Sequence, residues 1–314
     1  MLVRRCRRAT AELVSWRARV TTSKRALDFY RSIDSIHFVR ERSGNRCSRD
    51  EIWSGAGAAS QNGQQVPVEY VVEDGIAHIG LNRPERLNAV SLDLVEGLCG
   101  ALEEAIRDEV GVAVLFGRGR AFCAGYDLKQ EPNDAGYTSG RREVERIQDV
   151  TRLIRRAPFP VVAAVHGYAL GAGCEFALCS DLVVAAEDTV FGFPEVGVGL
   201  SITGGISHIL PLAVGIARAK ELVFLGGRFG AVEARQLGLV NSVVARAELM
   251  DEALRLAQAL AALPRKALGL AKIALDRGPQ NDLSCALELE TLHALETRGS
   301  TEATQAAASF RKQS

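Results

Sequence analysis

Val161-Val162-Ala163-Ala164-Val165-His166-Gly167-Tyr168-Ala169-Leu170-Gly171-Ala172-Gly173-Cys174-Glu175 is the stretch from which the rest of this chain can be read. Its first five residues are a short, wholly apolar run ended by His166-Gly167, the pattern of a buried strand. Gly171-Ala172-Gly173 then opens a helix that continues to about Ser180. A helix start made of small residues leaves its first N–H groups unpaired and lets another molecule approach the backbone closely. With the helix dipole behind them, such groups can stabilise an oxyanion. Small residues also let a helix pack tightly, and the stretch alone does not choose between these roles.

Glu175 falls in the first turn of that helix, where the dipole by itself favours a carboxylate. Phe193-Pro194-Glu195 follows twenty positions later (195 − 175) and leads into Val196-Gly197-Val198-Gly199. A lone charge among such residues is hard to explain as a solvated face. Two carboxylates on one cleft repel, and burial then keeps one protonated, giving one acid and one base. A second glycine turn, Cys123-Ala124-Gly125-Tyr126-Asp127, follows the apolar run 112–116 and the segment Gly117-Arg118-Gly119-Arg120. An N–H just after that glycine can also point into a cleft. Two donors from different loops suit an enolate oxygen, and the acid pair suits proton transfer beside a carbonyl.

Regular patterning extends outward from these loops. Residues 68–73 and 76–81 alternate and meet at Asp74-Gly75, a hairpin signal. Ser91 is placed to cap a helix running to Asp108, with Leu94, Leu98, Leu102 and Ile106 on one face. A helix is expected over 141–156, strands over 182–186 and 190–192, and mainly helix beyond about Arg246. The expected fold class is α/β, with a core over 66–250 and a C-terminal helical region over 251–314. Residues 1–65, Arg-rich and closing in the Gly/Ala/Ser/Gln run 55–65, read as a weakly structured extension and linker.

Composition narrows the function classes. The chain has 314 residues, 47% hydrophobic and 24% charged, enough for a full-sized core. No run reaches the roughly 18 apolar residues of a membrane span, so no membrane partner is expected. The seven cysteines contain no C-x-x-C pair, which argues against a disulfide framework or zinc site and for a reducing compartment. No H-E-x-x-H or G-x-x-x-x-G-K-[ST] motif occurs, so no metal and no nucleotide cofactor is expected. The zero net charge hides a basic opening, where Arg4, Arg5, Arg7, Arg8, Arg17, Arg19, Lys24 and Arg25 face only Glu12 before Asp28. Such an arm matches an organelle transit peptide in composition, or a solvated appendage. Nucleic-acid binding through it is the alternative of another class. The basic residues have few stacking aromatics among them, only Trp16, Phe29 and Tyr30, which favours the solvated arm. A cytoplasmic location is expected, with the mitochondrial matrix as the alternative if the arm is a transit peptide.

Four motifs in order resemble the crotonase, or enoyl-CoA hydratase/isomerase, superfamily: Asn82-Arg83-Pro84-Glu85-Arg86-Leu87-Asn88-Ala89, Ala121-Phe122-Cys123-Ala124-Gly125-Tyr126-Asp127-Leu128, residues 166–175, and Phe191-Gly192-Phe193-Pro194-Glu195. The resemblance covers residues 66–310. It implies a spiral of repeated ββα units with a C-terminal helical trimerisation region, and a homotrimer or a hexamer made of two trimers. It also implies an acyl-CoA thioester substrate, with coenzyme A part of that substrate and no separate cofactor. The thioester oxygen would be held by the N–H groups of Tyr126 and Ala172. Glu175 and Glu195 fall at the two acid/base positions. Arg86, Leu87, Ala89, Ala124, Asp127, Leu128 and Gly171 fall along the CoA and substrate groove, where Leu87 and Leu128 can equally be core residues and Asp127 can hold its loop.

The leading expectation is hydration of a trans-2-enoyl-CoA in lipid and fatty-acid metabolism, with double-bond isomerisation as the runner-up. Family members often carry Gln before the second Pro-Glu and Pro-Gly-Ala-Gly-Gly-Thr after it. This chain has Phe193 and the run Ser201-Ile202-Thr203-Gly204-Gly205-Ile206-Ser207. By the resemblance, those positions shape the acyl pocket and place the water.

Overall fold

Asp74 and Gly75 both adopt positive φ, 50° and 76°, and turn strand β1 (Val68–Glu73) back onto β2 (Ile76–Leu81) with Glu73 opposite Ile76. These residues belong to a computed structural model that describes 66–128 and 136–313. The Arg-rich extension and linker expected over 1–65 lie outside the described residues.

Ser91, extended at φ −118°, accepts a hydrogen bond from the Leu94 N–H and starts helix α1 (Leu92–Arg107). Leu94, Leu98 and Leu102 are fully buried beneath it, each worth about 2 kcal/mol of apolar burial. Then follow β3 (Val112–Gly117), α2 (Gly136–Arg156), β4 (Val161–Val165), β5 (Tyr168–Leu170), α3 (Ala172–Leu178), β6 (Leu182–Ala186) and β7 (Val190–Gly192). The chain continues through α4 (Ile206–Val214), α5 (Ile216–Leu225), β8 (Arg228–Gly230), α6 (Ala231–Gln236) and β9 (Ser242–Val244). Four helices close it: α7 (Leu249–Ala261), α8 (Arg265–Arg277), α9 (Leu283–Thr297) and α10 (Thr301–Gln313).

The larger sheet has the order β1-β2-β3-β4-β6-β9, parallel from β2 onward, and β5-β7-β8 form a smaller sheet. Both faces of the larger sheet are covered, which is why β3 and β4 read as unbroken apolar runs. Ala77, Ile79, Leu115, Ala163 and Val165 join a cluster with α1, Val150 and Ile154 of α2, and Phe176 of α3. The alternate residues Ile76, Val112, Val114, Val162 and Val184 pack against Leu249, Ala253 and Ala257 of α7.

The terminal helical region is thus anchored at its start. A further anchor is Lys272 of α8, whose Nζ donates to Asp181 Oδ2 (2.7 Å), Ile154 O (2.7 Å) and Phe159 O (3.0 Å). No residue of α9 is buried, and Leu283, Leu287, Leu292 and Leu295 stand exposed along it.

Helix α2 begins five residues earlier than the sequence pattern gave (141 − 136). The three-residue strands β5, β8 and β9 and the short helices α4 to α6 carry too few residues to show a period.

Candidate active site

Small residues let two loops meet at the ends of β3 and β4. A Cβ on Gly173 would stand 2.2 Å from the Cys123 carbonyl oxygen, so that glycine serves the close packing of α3 on the 123–125 turn. Gly125 has φ 89°, and a Cβ there would lie 2.7 Å from Leu170 O and 3.7 Å from Gly171 Cα. The join is hydrogen-bonded, Cys123 N–H to Tyr168 O (2.9 Å) and Leu170 N–H to Cys123 O (3.0 Å). Both glycine turns therefore pack directly on one another.

Several backbone donors of the two turns are used: Ala124 N–H donates to Leu87 O, Asp127 N–H to Val90 O and Gly171 N–H to Gly192 O. The N–H groups of Tyr126 and Ala172 donate to no backbone carbonyl among the described residues, and neither do those of Gly173 and Cys174 in the first turn of α3. Tyr126 and Ala172 are the two that the sequence motifs single out.

Both glutamates are buried here, Glu175 completely and Glu195 to 8% exposure. A Cβ on Gly171 would come within 3.0 Å of Glu195 Oε1, so that carboxylate lies against the start of α3. Burial pushes the Glu195 carboxyl up to about 7, opposed by its own backbone N–H and helped by the Glu175 charge. Neither oxygen accepts a hydrogen bond of ordinary geometry from a described side chain or loop. Burial also raises Glu175, but there Thr203 opposes it with its hydroxyl and its N–H. Glu195 thus feels the Glu175 charge, and the two acids differ in their hydrogen bonding, the arrangement that separates an acid from a base.

The remaining sequence candidates differ in exposure. Arg86 is exposed at the end of the 3-10 turn Pro84–Arg86, and Leu87 follows at φ 53°, half-buried. Ala89 is buried, and its carbonyl accepts from Arg83 Nη1 at 2.6 Å. Ala124 is half-buried, whereas Leu128 is 63% exposed. Asp127 is buried and pairs with Arg83 at 3.4 Å, which ties the first motif to the second. Gly171, at φ 53° and ψ −125°, holds the turn into α3. Tyr126 turns its ring outward, its hydroxyl donating to Glu143 Oε1 of α2 at 3.0 Å.

Phe193 stands two residues before Glu195. It is fully buried, its ring centroid 6.5 Å from that of Phe229, which in turn stacks on Phe191 at 5.7 Å. It therefore packs under the smaller sheet.

Two contributors escaped the sequence reading. Thr203 holds Glu175, and the sequence signal available for it was only its place in an unusual loop. Asn88 knots the first two motifs, its Nδ2 donating to Arg118 O and Ala121 O while its Oδ1 accepts from the Arg83 N–H. Its φ of 54° is tolerated by asparagine more readily than by most residues. Among the described residues no group of three or more His, Cys, Asp or Glu side chains gathers in a metal-holding arrangement, and no helix is long and apolar enough to cross a membrane.

Residues 72–312 match the family model described as enoyl-CoA hydratase/isomerase. The chain is 38% identical over 240 residues to human mitochondrial enoyl-CoA hydratase domain-containing protein 2, covering 74% of this chain and 82% of that one. It is 37% identical over 224 residues to the 1,2-epoxyphenylacetyl-CoA isomerase of Escherichia coli, covering 70% and 85%. The solved structure of an enoyl-CoA hydratase from Bacillus anthracis superposes with a TM-score of 0.75 at 32% identity, covering 79% of this chain and 96% of that one. With this fold and these matches, the chain belongs to the enoyl-CoA hydratase/isomerase family, enzymes of the lyase or isomerase kind, and has its crotonase fold.

Proposed function

We propose that the protein is an enoyl-CoA hydratase that adds water reversibly across the double bond of a trans-2-enoyl-CoA. The observation that carries this reading is the pair of buried acids, unlike in their hydrogen bonding, near the Ala172 N–H, which donates to no backbone carbonyl among the described residues. In the proposed reaction the thioester oxygen accepts hydrogen bonds from the Tyr126 and Ala172 N–H groups, each well-placed donor contributing on the order of 3 kcal/mol as negative charge develops on the oxygen. Glu175 orients water and takes its proton as the oxygen adds to C3. Glu195 gives its proton to C2. Arg86, Leu87, Ala89, Ala124, Asp127, Leu128 and Gly171 form the CoA side of the groove, and coenzyme A arrives as part of the substrate, with no further cofactor.

The same reading includes a homo-oligomer, a trimer or a dimer of trimers. The exposed Leu283, Leu287, Leu292 and Leu295 of α9 support it, since a partner covering them would remove apolar area from water. It also includes a role in fatty-acid metabolism and a cytoplasmic location, or the mitochondrial matrix if the basic arm is a transit peptide.

Double-bond isomerisation is the second reading. It is favoured by the single carboxylate, Glu195, that is free of hydrogen bonds from described groups, because moving one proton needs one base and no water. Substituting either Glu175→Gln or Glu195→Gln and measuring hydration of trans-2-butenoyl-CoA tests the leading reading. Both variants are expected to lose activity by orders of magnitude, and unchanged turnover in either contradicts it.

A further inference from the structure

Glu175 accepts two hydrogen bonds, and both come from Thr203: the N–H to Oε1 at 2.7 Å and the hydroxyl to Oε2 at 2.7 Å. The loop carrying Thr203 is itself fixed, because the Thr151 hydroxyl on α2 donates to Gly204 O at 3.0 Å. Gly204, at φ 56°, presses on the glutamate so closely that a Cβ there would stand 2.7 Å from Glu175 Cβ and 2.8 Å from Oε2. The carboxylate is therefore wedged against bare backbone on one side and clamped at both oxygens by one residue. Glu195 has no comparable clamp among the described residues.

We propose that Thr203 is a positioning residue of this site: its hydroxyl fixes the plane of the Glu175 carboxylate and makes Glu175 the partner that holds the water, leaving Glu195 to carry the proton. This rests on the hydratase reading of the site. Hydrogen bonds donated to a carboxylate favour its charged form, and charge-assisted ones do so most strongly. A neighbouring buried carboxyl then keeps its proton, since two adjacent anions in a dry site repel. One residue thereby gives two chemically identical side chains opposite roles. The N–H of residue 203 survives any substitution except proline, so the share of the hydroxyl can be isolated.

Thr203→Val removes the hydroxyl and keeps the β-branched shape, while Thr203→Ser keeps the hydroxyl. With trans-2-butenoyl-CoA, T203V is expected to lose about tenfold to a hundredfold in kcat, the worth of a hydrogen bond to a charged group. Its KM should change by less than about threefold, because Thr203 holds the Glu175 carboxylate and is not among the residues proposed for the CoA groove. The acid limb of its pH profile should move up by about one unit, since Glu175 now binds a proton more readily. T203S should recover most of the rate and the original limb.

A second measurement does not depend on turnover. Carboxylate titration followed by 13C NMR, with E175Q identifying the Glu175 signal, should show the Glu175 midpoint rising in T203V and returning in T203S. A T203V enzyme with the wild-type rate, limb and midpoint overturns the proposal. If the wild-type protein hydrates no enoyl-CoA, the hydratase reading falls, and the Glu175 midpoint alone then decides whether Thr203 holds that carboxylate. Should T203V fail to fold, T203A carries the same comparison.

Discussion

Gly171 and Glu195 are in direct contact: a Cβ on the glycine would lie 3.0 Å from Glu195 Oε1. The residue that turns the chain into α3, and so aims the Ala172 N–H, also forms the wall against which the acid rests. Gly171→Ala forces a side chain into φ 53° and ψ −125° and pushes the carboxylate aside. The backbone conformation alone should cost about 1–3 kcal/mol, read as a lower midpoint in urea. Enoyl-CoA turnover should drop by about a hundredfold, the effect of a misplaced reacting group.

The Glu195 carboxyl is pushed up to about 7 by burial, and in the proposed hydration it is expected to set the alkaline side of the pH profile. Proton donation needs its neutral form, so kcat/KM for hydration is expected to fall tenfold per unit above that pH. The same shift affects stability with a definite sign. Burying the charged form is unfavourable, so stability is fully present below the ordinary carboxyl range and is lost as pH rises through about 7. E195Q should therefore melt at a higher temperature than wild type at pH 8 and close to it at pH 4, measured by calorimetry in matched buffers.

Lys272, buried, and Asp181, half-buried, are partners 91 positions apart, their side chains 4% and 16% exposed. Lys272→Met leaves Asp181, Ile154 O and Phe159 O without their shared cation. The expected loss is about 3–5 kcal/mol of unfolding free energy in denaturant titration.

Asn88 offers a separate test of how the first two motifs are held together. Asn88→Ala strands the Arg83 N–H and two buried carbonyls and puts alanine at φ 54°. About 2–4 kcal/mol of stability should be lost. Asn88→Gly relieves only the backbone part, so it should recover less than half of that loss.

The elements legible in the sequence are those fixed by neighbours along the chain. Asp74-Gly75 makes its hairpin and Ser91 its cap because each acts within three or four residues. The apolar runs of β3, β4 and β6 are visible because both sheet faces are covered. Thr203 reaches Glu175 across 28 positions, and Lys272 reaches Asp181 across 91, and no local period reports such partners. Phe193 is read only in part for the same reason: its ring meets Phe229, 36 positions on (229 − 193), and nothing along the chain reports that partner. For Gly171-Ala172-Gly173 the structure adds what composition could not: Gly173 packs against Cys123, and the Ala172 N–H donates to no backbone carbonyl among the described residues.

The most direct test is a product-resolved assay in H2(18)O, in which the purified full-length protein is given trans-2-butenoyl-CoA and, separately, a 3-enoyl-CoA, and the products are read by mass spectrometry. The account predicts 3-hydroxyacyl-CoA carrying one heavy oxygen, at a rate abolished in E195Q. Conversion of the 3-enoyl-CoA into its conjugated isomer, with no labelled hydroxyacyl-CoA from either substrate, would contradict it.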